Sequence, residues 1–203
     1  MNRKTSLILS VLFHPVLMPV IAMGLMIFGD PIVHAMLSPK MTAIMLSLVF
    51  LLTVLGPLVM VYLIYRLGLI RSFYMRSRDE RAIPLLVIAL FYYLTYYLLK
   101  GMYLPQLFHM YMLGATLMII ILIVFNFFRM VSLHMAGIGA LTGLMTGIAL
   151  HYERNTAWVV LACILLSGII GTARLKQDAH QPSDLYIGWL TGAIVMFFTA
   201  FLF

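Results

Sequence analysis

Charge in this chain is confined to the gaps between long apolar stretches, and that regularity limits what it can fold into. Windows at residues 6–28, 41–65, 83–99, 105–128, 131–150, 157–173 and 185–203 contain no Asp, Glu, Lys or Arg. A helix crosses the hydrocarbon of a bilayer with roughly 17–25 mostly apolar residues. A charge left at mid-bilayer is expensive, so charges collect at helix ends. With 64% hydrophobic and 9% charged residues among 203, the chain lacks the polar surface of a water-soluble globule. The expectation is an all-α, polytopic transmembrane bundle of about six to seven helices. It forms one domain over residues 1–203, with its active site at the membrane interface.

The first window opens MNRKTSLILS with no cleavage-site pattern and reads as a retained span. Its Pro15 and Pro19 predict a kinked or re-entrant segment. The third window is short, and its cluster from Phe91 to Tyr97 either sits at head-group level or lines a cavity. Cys163 is the single cysteine, so an internal disulfide is excluded. Thirteen Lys and Arg against six Asp and Glu give a net charge of +7. In an integral membrane chain this surplus points to orientation and to anionic head groups or phosphates, not to nucleic acid.

Little polar sequence remains, and it gathers in three places. The stretch RSFYMRSRDER runs from Arg71 to Arg81 and holds Arg76, Arg78, Asp79 and Glu80, with Pro84 read at a helix start. Ser132 and His134 open the fifth window, and Arg174, His180 and Asp184 join the sixth to the seventh. These groups follow the second, fourth and sixth spans, so a count of crossings puts all three on one side of the membrane. Arginines, two histidines and a serine with few carboxylates suit an oxyanion better than a metal, because guanidinium groups pair with phosphate oxygens. His180 and Asp184 stand four apart and share a helix face. Asp184 is then placed to hold one ring nitrogen while the other attacks phosphorus. His134 is the candidate acid for the leaving oxygen.

The pattern R-x5-H-x3-D from Arg174, with Ser132-x-His134, resembles two signatures of the type 2 phosphatidic acid phosphatase superfamily of membrane lipid phosphatases. The third signature there is S-R-x5-H-x3-D, and here Ala173 replaces the serine. The second is P-S-G-H, here Val131-Ser132-Leu133-His134. The first is K-x6-R-P. Arg71 and Arg78 have its separation, with Asp79 in place of the proline, or else Arg81 takes the arginine role ahead of Pro84. The resemblance covers about Arg129 to Trp189 well and the first signature loosely. It implies that His180 is the nucleophile of a phosphohistidine intermediate, that Asp184 orients it, and that His134 is the acid–base partner. Arg174, Ser132 and one or two of Arg71, Arg76, Arg78 and Arg81 would hold the phosphate oxygens. It implies no cofactor and no metal, with a lipid phosphate as substrate and membrane lipids as partners.

Other residues read more plainly. His14, His34, His109 and His151 read as hydrogen-bonded interfacial residues, and Asn126 as an interhelical hydrogen bond. The run from Gly137 to Gly147 reads as close helix packing. No H-E-x-x-H, spaced histidine boxes or Gly-rich phosphate loop is present. Two function classes remain: a lipid phosphate phosphatase, or a degenerate relative that binds or transports a phospholipid or anion. Membrane sidedness is open as well. Arg3, Lys4, Arg66, Arg71, Arg76, Arg78, Arg81, Arg129, Arg174 and Lys176 lie on the N-terminal side, against Lys40, Lys100 and Arg154. The positive-inside rule puts that side in the cytoplasm. The resemblance implies a site on the outer face of the inner membrane.

Overall fold

The structure, a computed structural model, describes residues 2–73, 75, 77–153, 156–177 and 181–202, with the side chain of Arg3 left aside. It is 84% helical, with no strand among the described residues. Among the described residues, seven helical segments are long and apolar enough to cross a membrane. They are Lys4–Phe28, Pro39–Arg66, Arg78–Lys100, Gln106–Phe128, Leu133–His151, Ala157–Lys176 and Pro182–Leu202. The chain is therefore an all-α polytopic membrane protein. Most of its backbone polar groups are met inside their own helices, as hydrocarbon requires.

The chain divides into two compact units, residues 1–18 with 128–203, and residues 19–127. The first unit contains α1 (Arg3–Leu12), a 3-10 turn at Pro15–Leu17, α8 (Leu133–His151), α9 (Ala157–Lys176) and α10 (Pro182–Leu202). Here α8 is the central helix, buried over most of its length. Its glycines explain how: a Cβ on Gly139 would strike the Trp189 carbonyl, and one on Gly143 the Ala193 carbonyl. From the other side, a Cβ on Gly192 would strike the Ala136 carbonyl. Helices α8 and α10 therefore meet backbone to backbone, a contact that only small residues permit.

The second unit contains α2 (Met18–Phe28), α3 (Pro31–Met36), α4 (Pro39–Phe50), α5 (Gly56–Arg66), α6 (Arg78–Lys100) and α7 (Gln106–Phe128). Between α4 and α5 the helix widens into a π turn over Leu51–Leu55. Pro57 lacks an N–H and its ring crowds the carbonyl four residues back, and the widened turn just before it takes up that conflict. Helix α6 begins earlier than the short window predicts. Ser77 caps it by accepting from Glu80 N, so Arg78, Asp79 and Glu80 form its first turn. Pro84 consequently lies inside the helix and not at its start. At the other end of α6, Tyr93, Tyr96, Tyr97 and Lys100 line an open cleft of about 480 Å³.

The first span is interrupted. His14 is extended, with φ −64° and ψ 134°, as a residue ahead of proline prefers. Helix α1 therefore ends before Pro15, and the chain resumes as the 3-10 turn and α2.

Candidate functional site

In the first unit the serine–histidine and arginine–aspartate clusters meet. Ser132 caps the N-terminus of α8, and its backbone N–H donates to the Asp184 carbonyl at 3.2 Å. This bond ties the start of α8 to the start of α10. A serine at a helix N-cap ordinarily spends its hydroxyl oxygen on a first-turn N–H. Ser132 does not: it makes no side-chain cap bond, is fully buried, and its Oγ has no partner among the described residues. A helix N-terminus with an uncommitted buried hydroxyl is a ready place for an anion.

Helix α1 holds the rest of the constellation. Ser6 and Ser10 lie one turn apart on α1, with Asn2 capping the helix at the same spacing and His14 following four residues on, just beyond its end. Ser6 and Ser10 are buried. Arg174, near the end of α9, donates through Nη1 to Gln177 Oε1 at 3.0 Å and to Ser10 Oγ at 3.5 Å. Gln177 in turn donates through Nε2 to Ser6 O at 2.8 Å and Ser10 Oγ at 2.9 Å. His134 Nε2 bonds Ser10 O at 3.0 Å, and the His14 ring stands edge-on to the His134 ring at 5.4 Å. Among the described residues the Arg174 guanidinium thus contacts neutral groups, and its Nε is buried without a partner there.

Asp184 is held by other means. Its Oδ1 accepts from Arg129 Nε at 2.8 Å and pairs with Nη2 at 2.7 Å, while Arg129 Nη2 also donates to Ser183 Oγ at 2.7 Å. Its Oδ2 accepts from Gln181 N at 3.3 Å, as a first-turn carboxylate that caps its own helix does. Both carboxylate oxygens therefore have protein partners. His180 and Arg76 lie outside the described residues.

The remaining members of the first cluster belong to the second unit. There Arg78 Nη1 donates to Phe127 O at 3.2 Å, and Asn126 Nδ2 donates to Arg78 O at 2.8 Å. Asn126 thus bridges α7 to α6, and its Oδ1 is buried without a partner among the described residues. Arg71 N donates to Glu80 Oε1 at 3.0 Å, and Arg81 is buried. Of the plainly read histidines, His34 leans on Phe28 and His109 on Tyr96, while His151 lies against Tyr152 and Phe201. Among the described residues no three His, Cys, Asp or Glu side chains gather closely enough to hold a metal ion.

Sequence reasoning missed four members of this site: Ser10, His14, Gln177 and Arg129. For α1 a signal existed in the four-residue spacing of polar groups within an otherwise apolar window. For Arg129 the only local hint was its place three residues before Ser132. No protein-family model, curated protein or solved structure matches the chain.

Proposed function

We propose that this protein is a multi-pass phosphatase of the inner membrane that hydrolyses a lipid phosphomonoester or pyrophosphate without a metal. One observation carries the reading. Among the described residues, two buried polar atoms, Ser132 Oγ and Arg174 Nε, stand without partners in the unit where the start of α8 is bonded to the first turn of α10. A half-buried guanidinium whose partners among the described residues are neutral gains from an anion, and a hydroxyl that forgoes its cap can donate to a phosphate oxygen. The resemblance of R-x5-H-x3-D and S-x-H to the lipid phosphatase signatures supplies the chemistry.

In that chemistry a ring nitrogen of His180 attacks phosphorus and the bond to the lipid oxygen breaks. The leaving oxygen takes a proton from His134. Water, giving its proton to His134, then cleaves the phosphohistidine to free phosphate and restores both histidines. Arg174, Ser132 and the N-terminus of α8 carry the charge that builds on the phosphoryl oxygens.

A second reading is favoured by the Arg129–Asp184 pair. Asp184 already accepts from Arg129 and from Gln181 N, and orienting His180 calls for a further bond to one of these oxygens. A binder or transporter of phospholipid or anion needs no such orientation. Phosphate release from a panel of lipid phosphates in EDTA, by wild type and His180→Ala, separates the two. A phosphatase releases phosphate and loses turnover in the variant while still binding lipid. Release that survives His180→Ala removes the nucleophile, and binding without release in wild type establishes the second reading.

A further inference from the structure

We infer that the break in the first membrane segment is a working part of the site, with Ser10, His14 and Pro15 acting as positioning residues for His134 and Arg174. In a continuous helix the carbonyl of Ser10 would accept the N–H of His14, four residues on. Pro15 prevents this. It requires an extended His14, and Phe13 before it leaves the helical region with φ −103° and ψ 37°, so the His14 N–H turns instead to Val11 O at 3.2 Å. The Ser10 carbonyl, on a buried residue within a membrane segment, must then find another donor. It finds His134 Nε2, at 3.0 Å.

The bond has a chemical consequence. A carbonyl can only accept, so Nε2 of His134 carries a proton. When the ring is neutral its lone pair is then on Nδ1, which becomes the basic nitrogen. A backbone carbonyl that sets a histidine tautomer in this way is a familiar device where one ring nitrogen must do the chemistry. His14 is set by the same break: its Nδ1 accepts from Val16 N at 3.4 Å, so its own ring proton is on Nε2. The His14 ring, edge-on to His134 at 5.4 Å, limits the tilt of that second ring. The hydroxyl of Ser10 does a separate task, since it receives both Arg174 Nη1 and Gln177 Nε2 and so aims the guanidinium. One residue at the end of α1 thus serves the histidine through its backbone and the arginine through its side chain.

The inference rests on the proposed site, but its first test does not need activity. Protein labelled with ¹⁵N-histidine, reconstituted in lipid nanodiscs, reports each ring's tautomer through its two nitrogen shifts, and His134→Gln assigns the signal. Wild type is expected to show His134 protonated on Nε2 in a single sharp form. Pro15→Ala lets the helix continue and returns Ser10 O to His14 N, so the His134 signal is expected to broaden into two tautomers. An unchanged single tautomer in a folded Pro15→Ala protein overturns the inference.

Ser10→Ala serves should Pro15→Ala fail to fold, because it keeps the carbonyl and removes only the hydroxyl. It is expected to leave the His134 signal unchanged and to weaken inorganic phosphate binding about tenfold, the loss of one hydrogen bond to a charged group. Equal phosphate affinity in wild type and Ser10→Ala overturns the role given to the hydroxyl. A wild type that binds no phosphate but keeps the Nε2 tautomer, lost in Pro15→Ala, removes the proposed function and leaves the positioning of His134 standing.

Discussion

Among the described residues Arg174 is a charged group held by neutral ones, and that imbalance makes it the most informative side chain to change. Its Nη1 is shared between Gln177 and Ser10, and its Nε is buried and uncommitted. Lysine at this position keeps the charge but offers no planar fork and no Nε. Arg174→Lys is therefore expected to weaken lipid phosphate binding at least about tenfold while leaving the fold intact. Binding measured on purified protein checks this, and equal affinity removes Arg174 from the site. Arg129 calls for a different test. Its side chain is 37% exposed against 13% for Asp184, so the pair is only partly shielded from solvent. Arg129→Met is expected to cost about 1–2 kcal/mol, below the 3–5 kcal/mol of a fully buried pair. Thermal unfolding in detergent should show the lower midpoint, and Asp184→Asn in that background should recover most of it. A midpoint unmoved by Arg129→Met means the pair contributes nothing to stability. Arg174 reads as a phosphate ligand from its pattern with His180 and Asp184, but the Arg129 pairing was not legible, because a guanidinium at a membrane junction ordinarily serves topology or head groups.

At the scale of elements, the site depends on how closely α8 and α10 approach. Gly139 and Gly143 on one helix face backbone carbonyls of the other, with no room for a methyl group. Gly143→Val is expected to part the helices, break the bond from Ser132 N to Asp184 O, and lower stability by about 2 kcal/mol or more through overpacking. Gly168, whose Cβ would meet nothing nearby, is the control, and Gly168→Ala should unfold at the wild-type midpoint or above. Equal midpoints for Gly143→Val and wild type would falsify the tight contact. The glycine run already read as close packing in the sequence, since hydrocarbon gives helices little other reason to carry small residues. Its partner was not legible, because nothing within α8 identifies the helix it faces. The first span shows the same division. Pro15 predicted an interruption, but that the interruption hands the Ser10 carbonyl to His134 depends on residues 124 positions apart.

Across the whole molecule, seven spans impose alternating sides on successive junctions, which labelling can check within one helix. Ser77 caps α6, and Tyr103 lies fully exposed beyond its other end. In a Cys163→Ser background, Ser77→Cys and Tyr103→Cys are expected to react with an impermeant maleimide from opposite faces. Labelling from one face would remove the span. Cytoplasmic Ser77 follows the positive-inside rule and external Ser77 follows the phosphatase resemblance, so the same experiment orients the protein. The spans, the helical class and the confinement of charge to junctions were all readable in the sequence. Each follows from a local rule, because every segment must satisfy its own backbone and exclude its own charges from hydrocarbon. The partnerships within the site were not readable. Among the described residues Asp184 pairs with Arg129, 55 residues away in the chain. His14 read as an ordinary interfacial histidine until folding brought it against His134. Such pairings are chosen by packing: each polar group buried in an apolar interior takes whichever partner the neighbouring helices bring within reach.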